Sequence, residues 1–230
     1  MLGSPRPAHF FALRELTLNG FCFDGSQTNL RADSIWPEFS QLKKLRLEYC
    51  SFRHEDLTQI LPRSNARLMC LELFSVCSPF RSNNFELPDF LAGCLEELWI
   101  EDCSPCSFGS SLQLYGSLRT LHVDWGVLDN AAPFLPIGLQ TLSIAIPIYI
   151  ANSAPHYQDL EASLQSISMG LPSLETVIVS GDCEYPLLQD AQGLEKSLKV
   201  QDVRLYVKFF HHGEWMPLWP LSSKFMKYLV

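Results

Sequence analysis

The sequence predicts an α/β solenoid, in which short parallel strands stack side by side and short helices or turns connect them. Three observations support this prediction. A six-residue aliphatic pattern recurs along the chain, and its copies follow one another at a nearly regular interval. The composition is also that of a folded protein, because 47% of the 230 residues are hydrophobic and 18% are charged, whereas a disordered chain is poor in apolar residues.

The recurring pattern has aliphatic residues at its first, fourth and sixth positions. Its copies are LRELTL at Leu13, LKKLRL at Leu42, LMCLEL at Leu68, LEELWI at Leu95, LRTLHV at Leu118, LQTLSI at Leu139, LETVIV at Leu174 and VQDVRL at Val200. Leu, Ile and Val make up 56 of the 230 residues, so chance order gives about three copies rather than eight. The mean spacing of about 27 residues is that of a leucine-rich repeat.

Side-chain alternation in a strand explains why this pattern repeats. The fourth and sixth positions point to the same side of a short strand, and stacking such strands in parallel buries them in one core. We therefore expect a leucine-rich-repeat solenoid of about eight repeats, with a curved parallel sheet on the concave face and short helices and turns on the convex face. The predicted organisation is a lead-in over residues 1–12, the repeats over 13–207 and an aromatic-rich C-terminal cap over 208–230.

The segments between the strands carry weaker signals. Leu160, Leu164 and Ile167 have helical spacing and predict a helix over 156–169. Further helices are predicted over 187–198 and after Ser51, a plausible N-cap, as far as Pro62. The returns after the repeats at Leu95, Leu118 and Leu139 are rich in Gly, Pro and Ser, which predicts turns.

Charge and cysteine content exclude several classes of protein. The net charge is −8, and an acidic chain is a poor partner for nucleic acid. No apolar run reaches about 18 residues, so no membrane span is expected, and the first residues lack the apolar region of a signal peptide. The eight cysteines are therefore expected to be free thiols in a cytoplasmic or nuclear protein. The pair Cys103 and Cys106 lacks the second ligand pair of a zinc site.

No catalytic motif stands out in the sequence. Nucleophile-elbow, dinucleotide-binding and phosphate-loop motifs are absent. His211 and His212 with Glu214 resemble a metal cluster, but adjacent strand residues point to opposite faces. We therefore expect no enzyme activity, no cofactor and no metal. One alternative stays open, a hydrolase that uses His122 with Ser143 on the next strand and a nearby acid.

The outward strand positions suggest a binding surface. One predicted row consists of Thr17, Arg46, Glu72, Trp99, His122, Ser143, Ile178 and Arg204, and a second of Asn19, Glu48, Phe74, Glu101, Asp124, Ala145, Ser180 and Tyr206. Aromatic residues ringed by acids in the middle of these rows predict a partner-binding patch made of Arg46, Glu48, Glu72, Phe74, Trp99, Glu101, His122, Asp124 and Trp125. The alternative is a solvated face whose tryptophan is half covered by its neighbours.

Two cysteines relate the repeats to a known family. Cys50 and Cys103 lie eight positions after the first leucine of their repeats, where cysteine-containing leucine-rich repeats place an inward Cys or Asn that satisfies backbone groups at the bend. The run from Leu42 to Leu73 resembles the repeats of fungal F-box/leucine-rich-repeat proteins. This resemblance implies a protein-binding role, as the substrate-recognition part of a ubiquitin ligase.

The same family usually has an F-box ahead of its repeats, which binds a ubiquitin-ligase adaptor. Only a dozen residues precede the first repeat here, so we expect no F-box in this chain. Ligase components are expected partners if a longer form exists. The alternative is a truncated structural remnant that associates through the uncapped edge of its first strand.

Overall fold

Eight parallel strands lie side by side in chain order and form one open sheet. They are β1 (Glu15–Asn19), β2 (Lys44–Glu48), β3 (Cys70–Phe74), β4 (Glu97–Glu101), β5 (Thr120–Asp124), β6 (Thr141–Ala145), β7 (Thr176–Asp182) and β8 (Arg204–His211). The structure is a computed structural model, and it describes residues 13–21, 41–51, 67–76, 87–103, 109–146, 157–182, 191–211, 214–215 and 219–220. The architecture is α/β and is compatible with the predicted solenoid.

The strands pair in the register that the aliphatic pattern requires. Leu45 lies opposite Leu71, and Leu71 lies opposite Leu98, so that inward residues continue from strand to strand. The fully buried members of this ladder are Leu45, Leu47, Leu71, Leu73, Leu98, Ile100, Leu121, Val123, Leu142, Ile144 and Val177. Full burial of one such side chain stabilises the fold by about 1.5–3 kcal/mol, and each strand obtains it from its neighbours.

The last copy of the pattern was assigned in the wrong frame. Val200 is 87% exposed, and β8 pairs Leu205 with Val177 and Val207 with Val179. The inward residues of β8 are therefore Leu205 and Val207, two positions later than the sequence pattern predicted. Tyr206, rather than Arg204, lies opposite Ile178.

Three α-helices lie in the described connections. They are α1 (Trp125–Ala131), α2 (Tyr157–Gly170) and α3 (Ala191–Lys199), and short 3-10 turns occur at Asp89–Leu91, Gly109–Leu114 and Ala132–Phe134. The helix predicted over 156–169 is confirmed as α2, and α3 matches the predicted helix over 191–198. The start of that predicted helix, residues 187–190, lies outside the described residues. The helix predicted from Ser51 to Pro62 also lies outside them, apart from Ser51 itself. None of the described helices is long and apolar enough to cross a membrane.

The connection after β5 differs from the sequence prediction in a way that affects the binding patch. A turn was expected there, but α1 begins at Trp125 directly after the strand. Trp125 is only 7% exposed and belongs to the hydrophobic core together with Val127 and Leu128. The assignment of Trp125 to the partner-binding patch is therefore wrong, because the helix turns its indole inward.

A repeated bend follows each of the first four strands. The residue after the strand has a left-handed backbone at Gly20, Tyr49, Ser75 and Asp102, with φ between 48° and 70°. At three of these positions the backbone N–H donates to the neighbouring strand, as from Tyr49 to the Phe74 carbonyl at 2.9 Å. The bend thus extends the ladder of hydrogen bonds by one residue beyond the strand.

Two cysteines complete this bend in the way that the repeat resemblance implied. Cys50 Sγ lies 3.5 Å from the Leu18 carbonyl oxygen and 3.2 Å from that of Glu48. Cys103 Sγ lies 3.5 Å from the carbonyl oxygens of Leu73 and Glu101. The two thiols have equivalent partners, one in the same strand and one in the preceding strand. Cys50, Cys70 and Cys94 are free thiols.

The last strand has antiparallel neighbours. β9 (Glu214–Trp215) pairs with β8 at His211 and Phe210. β10 (Trp219–Pro220) pairs with the same strand at Val207 and Tyr206. The boundary predicted between residues 207 and 208 falls inside β8, which continues to His211. Residues beyond 220 lie outside the described part of the chain.

Candidate functional site

The candidate site is the polar face of the sheet, which we define as the strand side chains that alternate with the buried leucines. The helices contribute their apolar residues to the same core as the leucines, so they lie on the other side of the sheet. The pairing places one row of the polar face along Thr17, Arg46, Glu72, Trp99, His122, Ser143, Ile178 and Tyr206. All the predicted patch residues except Trp125 belong to the polar face.

Glu72 is the centre of an ion-pair network on β2 and β3. Its carboxylate lies 2.6 Å from Lys44 Nζ and 3.1 Å from Arg46 Nη1. The same Arg46 binds Glu48 through Nε, and Glu48 accepts a hydrogen bond of 2.8 Å from Asn19 Nδ2. The network therefore links three neighbouring strands.

The electrostatics of this network follow from its contacts. The hydrogen bond with Glu72 raises the pKa of Lys44, and the hydrogen bond with Arg46 lowers the pKa of Glu48. Glu72 itself is only 7% exposed, although the sequence pattern placed it on the solvent side. Its charge is thus balanced within the protein, and it does not present a free acidic group to a partner.

Two aromatic residues are neighbours of Glu72 in the sheet, Phe74 on the same strand and Trp99 opposite it on β4. The Phe74 ring is half-buried and lies beneath the Arg46 guanidinium, whose Cζ is 4.3 Å from the ring centroid. Trp99 on β4 is also half-buried and stacks on the His122 ring, with centroids 4.3 Å apart and planes inclined by 17°. Both rings are held by neighbouring side chains, so their orientation is fixed before any partner binds.

His122 is the centre of a second cluster, on β4, β5 and β6. Its Nδ1 lies 2.7 Å from Ser143 Oγ, and its Nε2 lies 3.4 Å from Glu101 Oε2. The second contact lacks hydrogen-bond geometry within the described part of the chain, and it is an ion pair only when His122 is protonated. His122 is 5% exposed, so Nε2 is a buried polar atom.

Two carboxylates beside His122 have opposite pKa shifts. The contact with His122 lowers the pKa of Glu101, and the charges of Lys208 and Arg46 act in the same direction. Burial raises the pKa of Asp124 to about 6, although the Asp102 backbone N–H donates a hydrogen bond of 2.6 Å to its Oδ2. The charge of Glu101 adds to the upward shift. Near neutral pH, Asp124 is therefore the more readily protonated of the two.

The structure brings His122, Ser143 and an acid together, as the hydrolase alternative requires. Ser143 is only 6% exposed, so its hydroxyl is poorly placed to attack a substrate carbonyl. Cys70 is no better a nucleophile, because burial raises the pKa of its thiol to about 12. No group of three or more acidic, histidine or cysteine side chains within the described ranges could hold a metal ion.

Sequence reasoning missed Lys44, and it placed Ser143 in the outward row and considered it as a possible nucleophile. Lys44 directly precedes the first inward leucine of β2, and this position also points to the polar face. Reading three outward positions per strand, rather than two, would have found it. The backbone of His211 on β8 lies opposite that of Glu214 on β9 in the strand register. His212 lies outside the described residues.

The asymmetry of the Glu72 network gives a first prediction. Lys44→Met with Arg46→Met leaves the Glu72 side chain, 9% exposed, without a cation, and we expect the free energy of unfolding to fall by about 3–5 kcal/mol. Glu72→Gln leaves two cations that are each 38% exposed and remain hydrated, so its cost should be about 1 kcal/mol. Urea unfolding measures both changes. The triple variant should recover most of the loss, and a larger cost for Glu72→Gln would contradict this account.

The raised pKa of Asp124 gives a prediction on pH dependence. The folded chain binds this proton more tightly than the unfolded chain, since the ordinary pKa is 3.8 and the folded value is about 6. Ionisation of Asp124 thus destabilises the fold above about pH 6, and this loss disappears as pH falls towards about 4. Asp124→Asn should therefore raise the Tm at about pH 8 by about 2–4 °C for each kcal/mol regained, with no gain at about pH 4. An equal Tm change at both pH values, measured by thermal unfolding, would exclude this explanation.

Comparison with known proteins assigns the chain to no family. No protein-family model matches the sequence, and no curated protein matches it at a significant level. The function of the chain has to be inferred from the side chains of the sheet and their geometry.

Proposed function

We propose that the chain is a leucine-rich-repeat interaction module that binds a protein partner through the polar face and catalyses no reaction. The observation that carries the proposal is the pair of half-buried rings, Phe74 and Trp99, held in place by Arg46 and His122. Tryptophan and arginine are enriched among the residues that contribute most to protein binding. Rings that are already ordered lose little conformational entropy on binding.

The assignment to leucine-rich repeats has support at three levels. The aliphatic pattern recurs at the appropriate interval, and its inward residues form one buried ladder. The bends after β2 and β4 each have a cysteine that contacts two carbonyl oxygens in equivalent positions. These features are independent of one another, since spacing, burial and bend chemistry need not coincide in an unrelated α/β sheet.

The polar face would be the concave face of the proposed solenoid. Concave faces are the binding surfaces of solenoid proteins.

The partner class follows from the resemblance of the repeats. Fungal F-box/leucine-rich-repeat proteins suggest a substrate-recognition role in a ubiquitin ligase, which the chain would perform if a longer form carries the F-box. The polar face would then bind the substrate. Without the ligase link, the same face acts as a stand-alone interaction surface in the cytoplasm or nucleus.

Partner capture tests the proposal. The tagged chain is purified from its own cells, and the proteins that come with it are identified by mass spectrometry. Phe74→Ala with Trp99→Ala should reduce recovery of direct partners by about tenfold or more, because loss of such an aromatic anchor costs at least about 1–2 kcal/mol. Met169→Ala with Val200→Ala, at sites that are 71% and 87% exposed on or next to the helices, is the control.

The outcomes distinguish the forms of the proposal. Recovery of a cullin and its adaptor supports the ligase link, and recovery of other proteins that depend on the two rings supports a stand-alone module. Circular dichroism verifies that both double variants are folded. Partners that bind the ring variants and the control equally would contradict a role for the polar face.

A second candidate function is association through β1. Within the described strands, β1 has a hydrogen-bonded neighbour on one side only, and Leu13 and Leu16 are only partly buried. An unpaired strand edge is a template for association with another chain. This candidate predicts a dimer or larger assembly in light scattering, which Thr17→Pro on β1 should disrupt. The thermal unfolding transition and the circular dichroism spectrum of this variant should stay those of a folded chain. A stable monomer at all concentrations would exclude it.

A further inference from the structure

The end of β1 contains Asn19 followed by Gly20, and no other asparagine in the sequence precedes a glycine. This dipeptide favours deamidation, because glycine has no Cβ to shield its backbone nitrogen or to restrict its rotation. The Gly20 nitrogen bonds to the Asn19 side-chain carbonyl carbon, and the amide nitrogen leaves as ammonia together with the Gly20 amide proton. Water then opens the resulting succinimide ring to aspartate or isoaspartate. Both residues are exposed, so water reaches them.

Contacts with Glu48 hold both reacting groups in the folded chain. Asn19 Nδ2 donates a hydrogen bond of 2.8 Å to Glu48 Oε2, and the Gly20 backbone N–H donates one of 2.9 Å to the Glu48 carbonyl oxygen. Asn19 also lies opposite Glu48 in the parallel pairing of β1 with β2. Its backbone is therefore extended, whereas ring closure needs a ψ angle of the opposite sign. The reaction has to wait until the end of β1 separates from β2.

β1 is held less firmly than the strands that follow it. Within the described strands, it has a hydrogen-bonded neighbour on one side only. Leu18 is its one buried residue, whereas four of the five residues of β3 are buried. Regions with few buried apolar contacts open locally at a free energy well below that of global unfolding. The end of β1 can thus open while the later strands stay paired.

We propose that Asn19 is a modification site, at which deamidation through Gly20 releases the end of β1 from β2. Conversion to aspartate replaces the amide donor that faces Glu48 by a second carboxylate, and two ionised carboxylates repel each other. The hydrogen bonds from Arg46 and from Asn19 both help to lower the pKa of Glu48, and the modification removes the second of them. The network across the first three strands then loses its member on β1.

Isoaspartate disturbs the backbone as well. It adds one methylene group to the main chain between residues 19 and 20, so every atom after it moves relative to β2. The hydrogen bond from the Gly20 N–H to Glu48 is the first to be displaced, and the next is the one of 2.8 Å from the Ser51 N–H to the Phe21 carbonyl oxygen. The ladder from β2 to β8 does not include this segment and should stay intact.

Peptide mapping of the full chain tests the site. The protein is incubated at mildly alkaline pH, either folded or unfolded in urea, and its deamidated peptides are then quantified by mass spectrometry. Asn19 should react before the other asparagines in the unfolded chain, and at least about tenfold more slowly in the folded chain. Amide hydrogen exchange of Gly20, followed by NMR, measures the opening of β1 independently.

Variants separate the effect of Glu48 from general instability. Glu48→Ala removes the acceptor of the Asn19 amide and should raise both deamidation and Gly20 exchange by about threefold or more. Glu96→Ala, at an exposed site just before β4, is the matched control and should change neither rate. Asn19→Gln keeps an amide but would require a larger ring, so it should abolish the reaction at this position.

The product is tested by Asn19→Asp in the otherwise unchanged chain. Exchange of the Gly20 and Ser51 amides should rise at least about threefold, while the amides of Leu98 and Leu121 keep their protection. Equal deamidation of the folded and unfolded chain, no effect of Glu48→Ala, or an earlier reaction at another asparagine would overturn the inference. Unchanged exchange in Asn19→Asp would refute the release of β1. None of these measurements needs a binding partner, so their outcome is independent of the proposed function.

Discussion

Burial of one aliphatic pair per strand is the constraint on which the rest of the structure depends. A strand of five residues cannot shield its own leucines, so it is stable only when a neighbour in the same register covers them. The pairs Leu45 with Leu71 and Leu71 with Leu98 show this directly. Because alternate side chains point to opposite faces, fixing the leucines also fixes every residue of the polar face. The positions of Arg46, Trp99 and His122 are consequences of the core.

The same constraint explains why much of the fold could be predicted from the sequence. The fourth and sixth positions of the first seven copies become the inward residues of β1 to β7, and the helical spacing of Leu160, Leu164 and Ile167 becomes the buried side of α2. The eighth copy failed for a physical reason. Val203, directly before β8, is buried like Leu205 and Val207 within it. The pattern therefore permits two frames, and pairing with β7 selects the later one.

The candidate site was less predictable, because its properties depend on contacts between strands. The sequence gives no sign that Glu72 is covered by its neighbours or that Asp124 is buried enough to shift its pKa. Trp125 was misplaced because nothing in the local pattern distinguishes a turn from a helix that starts immediately after β5. The pattern did place Arg46, Trp99 and His122 on the polar face, because strand position alone decides the face. Side-chain length determines which side chain covers its neighbour, and this can be read only from the three-dimensional structure.

The chain-order arrangement of the strands has a further consequence for how such a protein can change. The connection between β6 and β7 contains the fourteen-residue helix α2, yet Leu142 still pairs with Val177 in register. The helix α2 thus packs on the core side of the sheet, away from the polar face, and the register of the strands on either side is kept. Insertions and deletions in the connections should be nearly neutral for recognition, whereas a single-residue shift inside a strand would reverse its faces. The length of the connections and the binding specificity of the polar face can therefore change independently in this protein.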